Sequence, residues 1–240
     1  MYGYSYKISN SLVIGSGGGA PFVNTKSLLF DGTDDYVDLG TSSTLELVDN
    51  FSISFWINTT TLGNDGIIVC GDYASSSIGW KFKTTGGKVV FFTTSKGVVS
   101  TTNINDGSWY HVCATFNSTN PSSGGRELIM YVNGVAELTR QFGSSTNPSY
   151  SGTIYKQISY PGGGTFEGKI DEVSVFDYTL LPSDITTLYN SGTPTDLTSL
   201  SPISWYRFEE GSGTTATDSG SGGNNGTLNN GVTYSTNIPT

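Results

Sequence analysis

Three sets of residues in this 240-residue chain could carry chemistry: one histidine, a few placed aspartates and two cysteines. The histidine, His111, stands in the middle of the strand-like run WYHVCATF. A zinc centre or a nucleophilic triad needs histidine at a cleft with partners beside it. A lone histidine in mid-strand is expected to be packed or hydrogen-bonded instead, so histidine catalysis is set aside. Among the aspartates, Asp34 and Asp35 occupy the turn-like DGTDD, and Asp218 opens the polar run DSGSGGNNG. Asp171 shares the parity of Val173 and Val175, which assigns it to the buried face of a strand. A buried carboxylate requires a cation or several donors. Carboxylates with backbone and asparagine carbonyls are the ligands calcium prefers, so Asp34, Asp171 and Asp218 are the candidate metal ligands and Ca2+ the candidate cofactor. The competing account is that these aspartates accept backbone N–H groups, as aspartate does in turns. Cys70 and Cys113 lie in apolar runs (IIVCG and HVCATF) and are expected as buried free thiols; one disulfide stays compatible with the spacing, which does not require it.

The elements that must position these residues are strands. Glycine supplies 32 of 240 residues and charged residues only 13%. Long helices need Ala, Leu, Glu, Lys and Arg, whereas Tyr, Phe, Trp, Val and Thr between Gly/Ser/Asn turns give an all-β chain. The net charge of −9 and pI near 4.4 argue against nucleic acid and anionic membranes as partners, because there is no basic patch to release counterions. The same charge suits divalent cations and neutral or cationic glycans. No basic stretch followed by a long apolar run marks a secretory signal at the start, and no apolar window is long enough for a membrane span.

Along the chain, residues 1–25 read as an N-terminal arm, with Tyr2, Tyr4 and Tyr6 alternating before the break GSGGGAP. Residues 26–192 read as the core domain. SLLFDGTDDYVDLG gives two short strands around Gly32, and FSISFWIN alternates as a half-buried strand. Gly86-Gly87 and Asn133-Gly134 mark hairpins. One short helix is expected near 181–191, with Pro182 in its first turn, Asp184 favoured by the dipole, Ile185, Leu188 and Tyr189 on one face and Gly192 as the stop. Residues 193–202 read as a linker, and 203–240 as a further strand pair.

These runs resemble the laminin-G-like, concanavalin A-like jelly rolls. The resemblance rests on FDGTDDYV, on Trp109–Thr115 and Leu128–Gly134 as central strands, and on IDEV…L…LY from Ile170 to Tyr189. It implies a two-sheet antiparallel jelly-roll sandwich. The run ISWYRFEEGSG…NNGTLNNG after the helix is similar to the family's first strand pair, which usually precedes the FDG strand. It is expected to return as a circular permutation that completes the sandwich; a truncated second repeat and strand exchange with a neighbouring subunit are the other readings.

The resemblance also implies calcium at loops and glycans as common ligands. Sugars favour an exposed aromatic ring beside planar polar groups, and the loop candidates are Tyr73, Tyr150 and Tyr160, whereas Trp56, Trp80, Trp109 and Trp205 sit in strands and are assigned to the core. Glycosidases of similar fold carry alternating acids on one strand; Glu167, Asp171, Glu172 and Asp177 lack that spacing, so no catalytic residue and no enzymatic activity is expected, with a glycoside hydrolase as the least favoured alternative. The expected function is a non-enzymatic module on a virion surface, as in the laminin-G-like proteins of marine bacteriophage: a capsid decoration or fibre protein, assembling with virion proteins or itself and holding glycans. The alternative is a bacterial carbohydrate-binding or adhesion module at an extracellular or cell surface.

Overall fold

The computed structural model describes residues 21–120, 125–143, 147–160 and 164–240; most of the expected arm lies outside them. In chain order the first strands are β1 (Ser27–Asp31), β2 (Tyr36–Asp38), β3 (Phe51–Asn58), β4 (Gly66–Gly71), β5 (Gly79–Thr85), β6 (Lys88–Thr93), β7 (Lys96–Val99) and β8 (Trp109–Asn120). They are followed by β9 (Gly125–Val132), β10 (Val135–Phe142), β11 (Tyr155–Tyr160) and β12 (Glu167–Phe176), then the helix α1 (Pro182–Tyr189). After it come β13 (Ser204–Tyr206), β14 (Thr215–Ala216), β15 (Gly226–Asn229) and β16 (Thr233–Ser235). Two antiparallel sheets of eight strands each result. The first runs β10-β9-β8-β3-β12-β1-β16, with β13 also on β12, and the second runs β14-β15-β2-β11-β4-β5-β6-β7. Their inner faces enclose one core that includes Phe30, Phe51, Phe55, Phe82, Phe91 and Phe116, all fully buried. The architecture is the all-β, two-sheet sandwich with one short helix that the sequence predicts.

The hairpins form where the residues permit them. Gly86 and Gly87 take φ of 57° and 79°, and Asn133 and Gly134 take 49° and 76°. Two successive positive φ values give the primed turn whose twist matches that of paired strands.

One expected alternation is corrected. Phe51, Ile53, Phe55 and Ile57 face the core, but Ser52, Ser54 and Trp56 on the opposite side of β3 are buried too. Their cover is α1 and the segment after it. Ile185, Leu188 and Leu197 join Cys113, Tyr131, Phe176, Leu180 and Trp205 in a second cluster on the outer face of the first sheet. Asp184 starts the helix by accepting the Leu181 N–H at 2.8 Å, and Asn190, at φ 41°, ends it two residues before the expected glycine. Residues 193–202 are thus packed: Leu197 is buried, and the Tyr178 hydroxyl donates to the Leu200 carbonyl at 2.6 Å. Both cysteines are buried and free.

The strands after the helix enter both sheets. β13 lies antiparallel on β12, with Val173 opposite Tyr206, and β15 pairs with β2. β16 lines up against β1 with Leu28 opposite Tyr234. Tyr206, Phe208, Ala216 and Leu228 belong to the main core. Among the described residues no helix is long and apolar enough to cross a membrane.

Candidate functional site

The three candidate metal ligands occupy separate places. Asp171 is fully buried, as its parity requires, but on the other face. It lies opposite Trp56 of β3, on the outer side of the first sheet, whereas Ile170, Val173 and Val175 face the core. The cause is a β-bulge between Asp171 and Ser174, with Glu172 at φ 49°, which inserts one residue and reverses the alternation. Asp171 accepts from Asn24 Nδ2 and from the Glu172 N–H, both at 2.9 Å. Its neighbour Glu172 accepts from Trp205 Nε1 at 2.5 Å and lies 3.6 Å from Arg207 Nε. Burial raises both carboxyls, Asp171 well above the usual range and Glu172 to about 8.

Asp218 is a loop cap. Its Oδ1 accepts the Trp205 and Gly220 N–H groups and its Oδ2 that of Asn224, each at 2.8 Å. Asp218→Ala leaves three amides without an acceptor and is expected to lower stability by at least roughly 1–3 kcal/mol, the cost of a single orphaned buried donor. The loss, measured by denaturant unfolding, should be the same with and without chelator; a loss seen only with calcium present would make Asp218 a ligand after all.

Asp34 falls in a cluster of carboxylates. Among the described residues the only group of three potential ligands is Asp31, Asp34 and Asp35, whose carboxylate oxygens lie within 4.8 Å of one another. The turn is built by its own aspartates: Asp31 Oδ1 accepts the Thr33 N–H at 2.7 Å and Asp35 Oδ2 the Asp31 N–H at 3.0 Å. Gly32, at φ 77°, passes so close to Glu167 that an added Cβ would lie 2.8 Å from its Cβ. Asp35 is 2% exposed, and its Oδ1 is buried without a partner. Burial raises its carboxyl first, and the charges of Asp31 and Asp34 add to that. Among the described residues none of the three forms an ion pair. An unpartnered carboxylate oxygen beside two exposed carboxylates fits a hard divalent cation with oxygen ligands.

This turn forms one wall of a groove of about 320 Å³ on the outer face of the second sheet, between Asp34, Tyr36, Tyr73, Gln157, Ser159 and Thr165. Tyr36 and Gln157 face outward because Val37 and Ile158, beside them, face the core. Tyr73 is held by the loop that carries it. Asp72 Oδ1 accepts the N–H groups of Ala74 and Ser75, and the Lys81 ammonium donates to the carbonyls of Asp72, Tyr73 and Ser75 at 3.3, 2.8 and 3.0 Å. The Tyr73 ring stacks on Tyr155 at 3.8 Å and on Tyr160 at 5.5 Å, and its hydroxyl donates to Gln157 Oε1.

Of the three tyrosines singled out in the sequence, Tyr73 and Tyr160 therefore come together, with Tyr160 only 1% exposed as the base of the stack. Tyr150 stands apart: it packs on the main core and its hydroxyl donates to the Leu47 carbonyl at 2.7 Å. Tyr36, Tyr155 and Gln157 went unrecognised; Tyr155 and Gln157 lie two apart on one strand, the signal that places them on one face. His111 is packed and hydrogen-bonded, with Nε2 2.7 Å from Ser54 Oγ, and burial depresses its pKa to about 3.

Two antiparallel sheets packed as a sandwich, with one short helix on an outer face, define a concanavalin A-like jelly roll. The model of the concanavalin A-like lectin/glucanases superfamily matches residues 31–186, and the chain belongs to that superfamily. A Bacteroides ovatus protein described as a candidate carbohydrate-binding protein superposes with a TM-score of 0.68 at 19% identity, over 91% of this chain and 62% of its own. A heptameric SAP-like pentraxin from Limulus polyphemus matches with a TM-score of 0.52 at 18% identity, over 69% of this chain and 82% of its own. The receptor-binding domain of a botulinum neurotoxin C/D mosaic serotype matches at 0.51 and 16% identity, over 72% of this chain and 44% of that one. At such identities these similarities concern the fold alone, and the chain spans less than two thirds of the Bacteroides protein. No curated protein matches the sequence.

Proposed function

We propose that the chain is a non-catalytic carbohydrate-binding or adhesion module that seats a saccharide in the groove beside Tyr73. The observation that carries this reading is the meeting of Tyr36 and Tyr73 with Gln157, Ser159 and Thr165 next to a carboxylate turn. The Tyr36 ring offers a face to the C–H side of a sugar, Tyr73, stacked on Tyr155 and Tyr160, presents its edge to the groove, and the amide and hydroxyls fix the sugar's orientation. Asp31, Asp34 and Asp35 would hold a calcium ion, which supplies positive charge at the groove wall for sugar hydroxyls. Glycosidase chemistry is disfavoured because these acids stand together on one turn, whereas hydrolysis needs carboxylates on both sides of the scissile bond. The relatives named above include a candidate carbohydrate-binding protein and a receptor-binding domain, which favours the adhesion reading over virion decoration. A place at an extracellular or cell surface accords with it.

Titration calorimetry against a polysaccharide panel tests the proposal. Tyr73→Ala is expected to weaken binding about tenfold, ~1.4 kcal/mol, because it removes one ring from the groove wall; unchanged affinity would remove the groove from consideration. Calcium is tested by melting. A concentration of 100 times Kd should add roughly 2.7 kcal/mol to wild type and nothing to Asp35→Asn. In chelator the Asp35→Asn variant should be at least as stable as wild type, because it relieves a like-charge conflict.

A further inference from the structure

A second cleft, of about 450 Å³, opens on the opposite outer face of the sandwich, where β3 and β8 meet the end of α1. Trp56, Trp109 and Tyr189 contribute its aromatic walls, and Asn58, Asn133 and Asn237 its amides. Trp56 and Tyr189 stack with centroids 6.1 Å apart and planes 27° from parallel. Trp109 lies on the outer side of β8, opposite Asn58, and is half-buried; its Nε1 donates to Asn237 Oδ1 at 2.8 Å, which fixes the indole against the chain. Asn133 Oδ1 is taken by the His111 N–H at 2.9 Å. Among the described residues the Nδ2 groups of Asn133 and Asn237 and the Tyr189 hydroxyl make no hydrogen bond. No charged side chain lines the cleft.

From this lining we infer a second saccharide site, specific for a neutral sugar. The choice of ligand follows from the chemistry and, in its class, rests on the carbohydrate reading given above. Phosphate and uronic acids call for cationic donors, which the lining lacks. Acyl chains call for apolar walls without free amides, and the open Nδ2 groups of Asn133 and Asn237 contradict that, whereas Asn58 is engaged with the Gly107 carbonyl and Lys169 Nζ. A neutral pyranose satisfies both parts of the lining: its C–H face lies on an indole, and its hydroxyls meet the free amide donors of Asn133 and Asn237. The first groove is built on the second sheet and this cleft on the first, with the full thickness of the sandwich between them. One ligand molecule of ordinary size cannot span both, so the domain holds two sugars facing opposite ways and can bridge two polymer strands.

The test is a nuclear magnetic resonance titration of the whole chain with a panel of neutral oligosaccharides: gluco-, manno-, xylo- and galacto-hexaoses. The four tryptophan indole N–H signals and the Gln157 side-chain amide report independently. The expected result is that at least one oligosaccharide moves the Trp56 and Trp109 indoles in a saturable way. Trp80 and Trp205, whose indoles donate internally to the Leu45 carbonyl and to Glu172, stay still as internal controls. Trp109→Ala should weaken the binding read at the Trp56 indole at least tenfold, while Trp109→Phe keeps most of it and Tyr73→Ala leaves it unchanged. Movement of Gln157 with all four indoles fixed would overturn the second site and keep the first. Movement of the indoles with Gln157 fixed would keep the second and count against the first. A panel that moves neither set at 10 mM would overturn both.

Discussion

A chain ending at residue 197 is expected to lose its cooperative melt and to aggregate on expression. The segment it lacks contributes Tyr206 and Phe208 to the core, each buried to 1% exposure or less, together with Ala216 and Leu228. Losing a large buried aromatic costs roughly 3–5 kcal/mol, so two of them consume most of the 5–15 kcal/mol that holds a domain folded. Removing β13 and β16 also leaves β12 and β1 with unpaired N–H and C=O groups, a template for edge-to-edge association. Circular dichroism and light scattering on the truncated chain decide the matter. A soluble monomer that melts within a few degrees of full length would mean that residues 198–240 are an appendage. The opposite result would support a sandwich whose usual first strands have been moved to its end.

The second large effect is on pH. Glu172 titrates near 8 in the folded chain against 4.5 for an ordinary glutamate, because burial disfavours its charge, and burial and the Glu172 charge push Asp171 the same way. Between those values the native state holds protons that the unfolded chain has released. Stability must then fall as pH rises through that interval, by up to ~1.4 kcal/mol per pH unit for each proton retained. Half-buried Asp72 and exposed Asp106 and Asp196 act in the opposite sense, since backbone N–H groups hold their carboxyls low, and their contribution fades only in acid. The expected profile has its maximum near pH 5 and declines towards pH 8. Asp171→Asn should flatten the decline. Urea midpoints that stay level or rise between pH 5 and 8 would show that Arg207 and Trp205 keep the pair ionised.

What could be read from the sequence was local. Asn133-Gly134 and Gly86-Gly87 dictate their turns through two residues each, and FDGTDDYV encodes both the turn and its cluster of acids in eight. The outer faces were less legible, because burial there depends on segments distant in sequence. Ser52 and Ser54 read as a solvent face until α1 and Leu197 are laid over them. Asp171 shows how little is needed to mislead: one inserted residue at Glu172 turns an inward carboxylate into one on the opposite side, and no feature of IDEV announces it. Trp109, assigned to the core for standing in a strand, lines a cleft because it is the first residue of β8 and points to the outer side, beside Asn237. Tyr155 and Gln157 escaped for a similar reason, since YKQISY has neither clean alternation nor a turn signal.

The edge of β12 is shared. β1 covers its first half and β13 its second, and β1 in turn awaits β16. During synthesis this imposes a delay. The partners Ser27 and Ser235 are separated by almost the whole described chain, which at 5–20 residues per second is about 10–40 s of translation. For that interval the first sheet stands open along β1 and along half of β12, at the stage when loose strand edges associate most readily. The last forty residues therefore act as a closing seam, and the time of their emergence sets when the nascent domain ceases to need protection.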